Sequence, residues 1–196
     1  YRAVALDMRG YGGTSRPQAI ASYSVSHLVG DVVGAIAAIG EKQAVVIGHD
    51  WGGPIAWYSA LMRPDVVRAV AVLSVPFNPP AALPDGVTVG QRMMAAANGR
   101  DYYRLYFLEP GRAEKELDAD VRRSMLGLLY TVSGDIIRDG VRTTPFDGFF
   151  PKGQTFIEQC VTPAKLPDWL TEDDVVFYTN ELKTSGFRGG LNWYRN

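Results

Sequence analysis

Hydrophobic residues follow two different rhythms along this chain. In its first part, short apolar runs alternate with helical stripes. Residues 2–7 (RAVALD) form a run ending at Asp7, and MRGYGGTSRP supplies the glycines and proline of a loop after it. From Ser24 to Gly40, Val25, Leu28, Val29, Val32, Val33, Ile36 and Ile39 recur at helical spacing, and Gly40 is suited to end the helix. Residues 43–48 (QAVVIG) are short and β-branched, as a buried parallel strand is. A helix is expected from Gly52 to Met62, stopped by Arg63-Pro64, and residues 66–75 (VVRAVAVLSV) read as a third buried strand. Alternating strands and helices predict a doubly wound parallel sheet, an α/β fold.

After Pro76 the rhythm changes. Residues 77–86 (FNPPAALPDG) carry three prolines and a glycine and read as a hinge. Beyond it the spacing predicts helices over 90–98, 100–108, 112–130 with breaks, and 171–185, and no further run suits a central strand. Residues 1–78 are therefore expected to form part of an α/β core, and 79–196 an all-helical lid. Three parallel strands leave bare edges. The chain also opens within an expected strand and stops at Asn192-Trp193-Tyr194-Arg195-Asn196 without a closing element, so an internal fragment of a longer protein is expected.

Composition narrows the class. Hydrophobic residues make up 46% and charged residues 21%, the balance of a globular protein. A net charge of −1 recommends neither nucleic acid nor an anionic membrane as partner. The single cysteine, Cys160, cannot support a disulfide framework and reads as a small apolar filler. No Cys/His spacing resembles a zinc site and no signal peptide precedes the first run, so a cytoplasmic protein without metal or cofactor is expected, with a homodimer left open.

The chemistry concentrates in Val46-Ile47-Gly48-His49-Asp50-Trp51-Gly52-Gly53. This segment fits G-x-nucleophile-x-G between an expected strand and an expected helix, the context of a nucleophile elbow. Glycines flank the central residue because the turn is sharp, and the turn lifts that residue to the carboxyl edge of the sheet. Here it is an aspartate. A carboxylate attacks an electrophilic carbon directly, forming an ester, without a base to activate it. The backbone N–H of Trp51 would supply half of an oxyanion hole. The plainer alternative is a glycine-rich turn whose Asp50 caps a helix; placement between strand and helix favours the elbow.

GHDWGG, preceded by DMRGYGGTSRP, resembles the epoxide hydrolase branch of the α/β-hydrolase superfamily. Two later segments, DYYRLYFLEPG at 101–111 and SGFRGGLNWYRN at 185–196, resemble the lid segments of soluble epoxide hydrolases, so the likeness covers essentially the whole chain. It implies an α/β-hydrolase fold with a helical cap, in a detoxifying enzyme that adds water to organic epoxides and gives vicinal diols. Asp50 would form the alkyl-enzyme ester, and Tyr103 and Tyr194 would hydrogen-bond the departing oxygen and give it a proton. Tyr102 and Tyr106 lie close enough in sequence to be confused with Tyr103. Trp51 and Phe77 would line the substrate pocket.

The same resemblance implies a histidine that activates water against the ester. Only His27 and His49 are present. His49 should point away from Asp50 as a buried structural residue, and His27 lies in the first turn of the Ser24 helix. The family's charge-relay histidine follows the lid and its HG-x-P loop precedes the strand of Asp7; neither is in this sequence, so the 196-residue chain alone is expected not to turn over. Two rivals remain. A haloalkane dehalogenase also uses an elbow aspartate followed by tryptophan, and a non-catalytic remnant could hold an apolar ligand among Trp51, Phe77, Tyr103 and Tyr194. Arg9 is expected to organise its loop, and the charges from Glu109 to Asp120 to form a solvated face.

Overall fold

The computed structural model describes residues 1–79 and 84–196. Residues 80–83 of the expected hinge lie outside the described residues. The chain divides into two compact units, Tyr1–Ala82 with Asn196, and Leu83–Arg195.

In the first unit, helix α1 (Val25–Ala38) turns Leu28, Val29, Val32 and Ile36 inward. Strand β1 (Ala44–His49), helix α2 (Gly52–Met62) and strand β2 (Val67–Leu73) follow in sequence order. β1 and β2 pair in parallel, from Ala44 opposite Val67 to His49 opposite Leu73. A strand–helix–strand unit of this kind needs a crossover helix, and α2 supplies it. Ala44, Val46 and Gly48 lie on the more covered face of β1, while Val45, Ile47 and His49 lie on the open one.

Three expectations change here. Residues 2–7 join no ladder, because an open groove of about 440 Å³, lined by Val4, Leu6, Val45 and Ile47 among others, lies beside β1. Ladder bonds require backbones about 5 Å apart. The two strands expected to be buried are half bare, with Ile47 66% and Leu73 54% exposed. β1, covered on one face, leaves alternate side chains in water, and on β2 every residue from Arg68 to Ala71 is exposed, as is Leu73. For the same reason His49, expected to be buried, is exposed on the open face of β1.

The second unit contains α3 (Val89–Ala97), α4 (Tyr103–Phe107), α5 (Arg112–Leu117), α6 (Val121–Thr131), α7 (Asp135–Arg138), α8 (Glu172–Ser185) and α9 (Arg188–Asn192). The starts of α3 and α8 carry capping boxes, Thr88 with Gln91 and Thr171 with Asp174. The unit is not all helical: β3 (Asp101–Tyr102) pairs antiparallel with β4 (Phe149–Phe150). Two-residue strands carry no period for the sequence to reveal. Its aromatic core gathers Tyr106, Phe107, Phe150 and Phe156 with Leu117 and Leu191. Cys160 is buried in this core, and burial followed by the nearby Glu116 charge pushes its thiol up to about 12. Among the described residues no helix is long and apolar enough to cross a membrane.

Candidate active site

In the first unit the candidate nucleophile is held by backbone geometry. At the end of β1 the chain reverses into α2 through Asp50, whose φ of 50° lies in the left-handed region. A non-glycine residue there is strained, and such strain gathers at functional positions. The turn is fixed by the Gly53 N–H donating to the Asp50 carbonyl at 2.9 Å. It closes only because Gly48 lacks a side chain; a Cβ there would collide with the Gly52 carbonyl. Gly53 plays a second part, since a Cβ on it would press on the Val75 carbonyl at 3.0 Å. The strained turn leaves the Asp50 side chain exposed at the carboxyl end of β1.

The loop before α1 is held against that helix. Arg9 donates to both carboxylate oxygens of Asp31, at 2.8 and 2.7 Å, and to the Ser22 carbonyl at 2.6 Å, contacts that fit the expected loop-organising part. This bidentate geometry orients the loop that carries Tyr11. Desolvation, and after it the Asp50 charge, pushes the Tyr11 phenol up to about 12, although 41% of the residue's surface stays exposed. Sequence reasoning passed over Tyr11, although its GYGG setting was a signal of a shaped turn. Trp51 is half-buried, and Phe77 is half-exposed with its ring edge-on to Trp57 at 5.1 Å. His27 is bound through Nδ1 to Ser24 Oγ at 2.7 Å, in the first turn of α1.

In the second unit, side-chain packing brings two of the candidate tyrosines together. Tyr103 and Tyr194 come together with ring centroids 5.9 Å apart at 76°, an edge-to-face pair. Tyr103 opens α4, held where its N–H donates to the Gly148 carbonyl at 3.0 Å. Gly148, at φ 84°, lets the ring lie on the backbone; a Cβ would press into it at 2.7 Å. Its neighbours are separated from it by environment. Tyr102 stacks on Phe149 at 4.5 Å, and Tyr106 is buried in the core under the Arg112 guanidinium at 3.9 Å.

Tyr194 is anchored by the residue after it. The Arg195 side chain is 2% exposed and donates to both oxygens of Glu114, at 2.7 and 2.9 Å. It donates further to the Phe107 carbonyl at 2.9 Å and to Asn192 Oδ1 at 3.0 Å. Burial raises the Glu114 carboxyl, but the Arg195 guanidinium and the N–H of Gly111 lower it more, leaving it below the usual carboxylate range. The charges from Glu109 to Asp120 are therefore not a uniform solvated face. Glu114 is buried, and Glu116 accepts the Ile157 N–H at 3.1 Å. Helical spacing in a sequence identifies a face without saying what covers it.

The chain as a whole has known relatives. Residues 1–112 match the family model of the α/β hydrolase fold. The chain belongs to the α/β-hydrolase fold family. Within it, the chain is similar to Epoxide hydrolase A of Mycobacterium tuberculosis, 39% identical over 196 residues, which are all of this chain and 58% of that protein. It is also 39% identical to Bifunctional epoxide hydrolase 2 of Sus scrofa, over the whole chain and 33% of that protein. Among solved structures, an epoxide hydrolase from an endophytic Streptomyces aligns with a TM-score of 0.83 at 39% identity, covering 97% of this chain and 55% of that one. The chain thus spans a third to three-fifths of the length of these relatives.

Proposed function

We propose that the protein containing this chain is an epoxide hydrolase that converts organic epoxides to vicinal diols through an ester on Asp50. The observation that carries the reading is the strained aspartate itself, at φ 50° between a parallel strand and a helix. A carboxylate held there is a nucleophile that needs no base. The relatives named above support the choice of epoxide as electrophile, and so does the edge-to-face phenol pair.

In the first step an Asp50 carboxylate oxygen attacks an epoxide carbon, forming a C–O ester bond. The ring C–O bond breaks and its electron pair stays on the departing oxygen. Tyr103 and Tyr194 hydrogen-bond that oxygen, and one phenol transfers its proton to it. In the second step water adds to the ester carbonyl, with the Trp51 N–H steadying the oxyanion, and the diol leaves. In this reading neither His27 nor His49 activates that water. In this account residues 1–78 are core and 79–196 cap, Trp51 and Phe77 line the substrate pocket, and the enzyme detoxifies organic epoxides with some apolar bulk in the cytoplasm, with a homodimer left open.

The test is diol formation from a small aryl epoxide by the protein at its natural length. Turnover that vanishes in D50A is the expected result. Chloride release from a chloroalkane without any diol would replace this reading with dehalogenation. Tight binding of the epoxide without either product would leave a ligand-binding module.

A further inference from the structure

Tyr103 has a polar neighbour that neither the motifs nor the phenol pair explain. Arg104 Nε donates to the Tyr103 hydroxyl oxygen at 3.1 Å, and the same guanidinium lies 5.9 Å from the Tyr103 ring centroid. A guanidinium has donors and no acceptor, so the direction of this bond is fixed. The Tyr103 oxygen accepts from arginine, and its own proton must point elsewhere. Partial desolvation works against the Arg104 charge; the hydrogen bond to Tyr103 and the neighbouring phenols Tyr102 and Tyr194 outweigh it and raise the guanidinium further.

We infer that Arg104 is a positioning residue for epoxide opening, donating to the Tyr103 oxygen so that the phenolic proton faces the departing oxygen. The inference rests on the reading of Tyr103 as a proton donor. Before reaction the arginine occupies the acceptor side of the phenol, which prevents the hydroxyl from turning its proton that way. During reaction the epoxide C–O bond breaks, the proton passes from Tyr103 to the new alkoxide, and the tyrosine oxygen carries the charge left behind. The guanidinium is already aimed at that oxygen and needs no reorganisation. A charge-assisted bond of this kind, with one side of the arginine in water, supports about a tenfold effect on the step.

The experiment separates a proton-directing role from a structural one by changing the electrophile. In the protein at natural length, rapid quench and mass spectrometry give the rate at which Asp50 is alkylated by an aryl epoxide and by methyl iodide. The iodide leaves with its electron pair and takes no proton. R104L is expected to slow the epoxide about tenfold, to leave methyl iodide unchanged, and to have no further effect in Y103F. R104K, which keeps a charged donor, is expected to recover most of the epoxide rate, and circular dichroism verifies the fold of each variant. If Y103F is slow and R104L is as fast as wild type, the inference about Arg104 is wrong and the reading of Tyr103 stands. If Y103F itself is as fast as wild type, that reading falls and the inference with it. An R104L variant equally slow with both electrophiles makes Arg104 a structural residue and overturns the proposal.

Discussion

The two units hold the groups assigned to the proposed chemistry by opposite means. In the first, Asp50 is presented by six consecutive residues whose backbone does the positioning: strain at φ 50°, close approach at Gly48, and a single turn bond from Gly53. In the second, Tyr103 and Tyr194 lie at opposite ends of the unit's sequence and are joined by an aromatic core and the buried Glu114–Arg195 pair. A local backbone device tolerates little change in its glycines but depends on few distant contacts. A pair assembled through the core depends on every layer that supports it. The comparison predicts that lesions in the first unit act on chemistry, and lesions in the second on both chemistry and stability.

The largest expected effect is that of D50A, which removes the nucleophile and with it all alkylation and all diol formation. Intact mass after incubation with an epoxide reads this directly. Y103F and Y194F come next, each slowing epoxide opening by about a hundredfold, the low end for loss of a positioned proton donor. A larger effect of Y194F than of Y103F would show that Tyr194 is the donor and Tyr103 its support.

E114A then tests the stability side. It leaves Arg195 charged in the core, and breaking a buried pair from one side costs about 3–5 kcal/mol. The urea midpoint of the second unit's unfolding is expected to fall accordingly. The same pair gives a pH dependence with a definite sign. Because the folded Glu114 carboxyl is held below its usual range, its stabilisation is present at neutral pH and is lost as pH falls through the folded value. E114Q should remove that acid limb.

D50G has a smaller effect of opposite sign. Relief of the left-handed strain, less the entropic cost of glycine, is expected to stabilise the first unit by about 1 kcal/mol while abolishing alkylation. The smallest effect belongs to Cys160. Its folded thiol titrates at about 12 against a usual 9.0, so its contribution is complete below that usual value and is lost as pH rises toward the folded one. Raising pH from 8 to 9 should cost roughly a third of a kcal/mol, and C160A should flatten that slope.

What the sequence disclosed follows the same division. The elbow could be read because its rules are local: glycines on either side of Asp50, an apolar run before, a helix after. Tyr103 and Tyr194 could be named only through the likeness of their segments to a family, since nothing in the spacing of ten tyrosines distinguishes them. Glu114 was lost in a charge pattern that reads as solvated, and its partnership with Arg195 is a contact across 81 positions. Residues 2–7 carry the composition of a strand, yet a strand exists only where a neighbour completes its hydrogen bonds, and in this structure a groove lies there instead. Arg104 was passed over because an arginine beside a tyrosine has no signature until the direction of its side chain is known.

The central claim is that chemistry begins with a covalent bond to Asp50. The most direct measurement is to trap the protein with an aryl epoxide, digest it, and locate the added mass by fragmentation. The account predicts one adduct, an ester on the Asp50 carboxylate, cleaved by mild base and missing from D50A. An adduct on another residue, or one that persists in D50A, would contradict it.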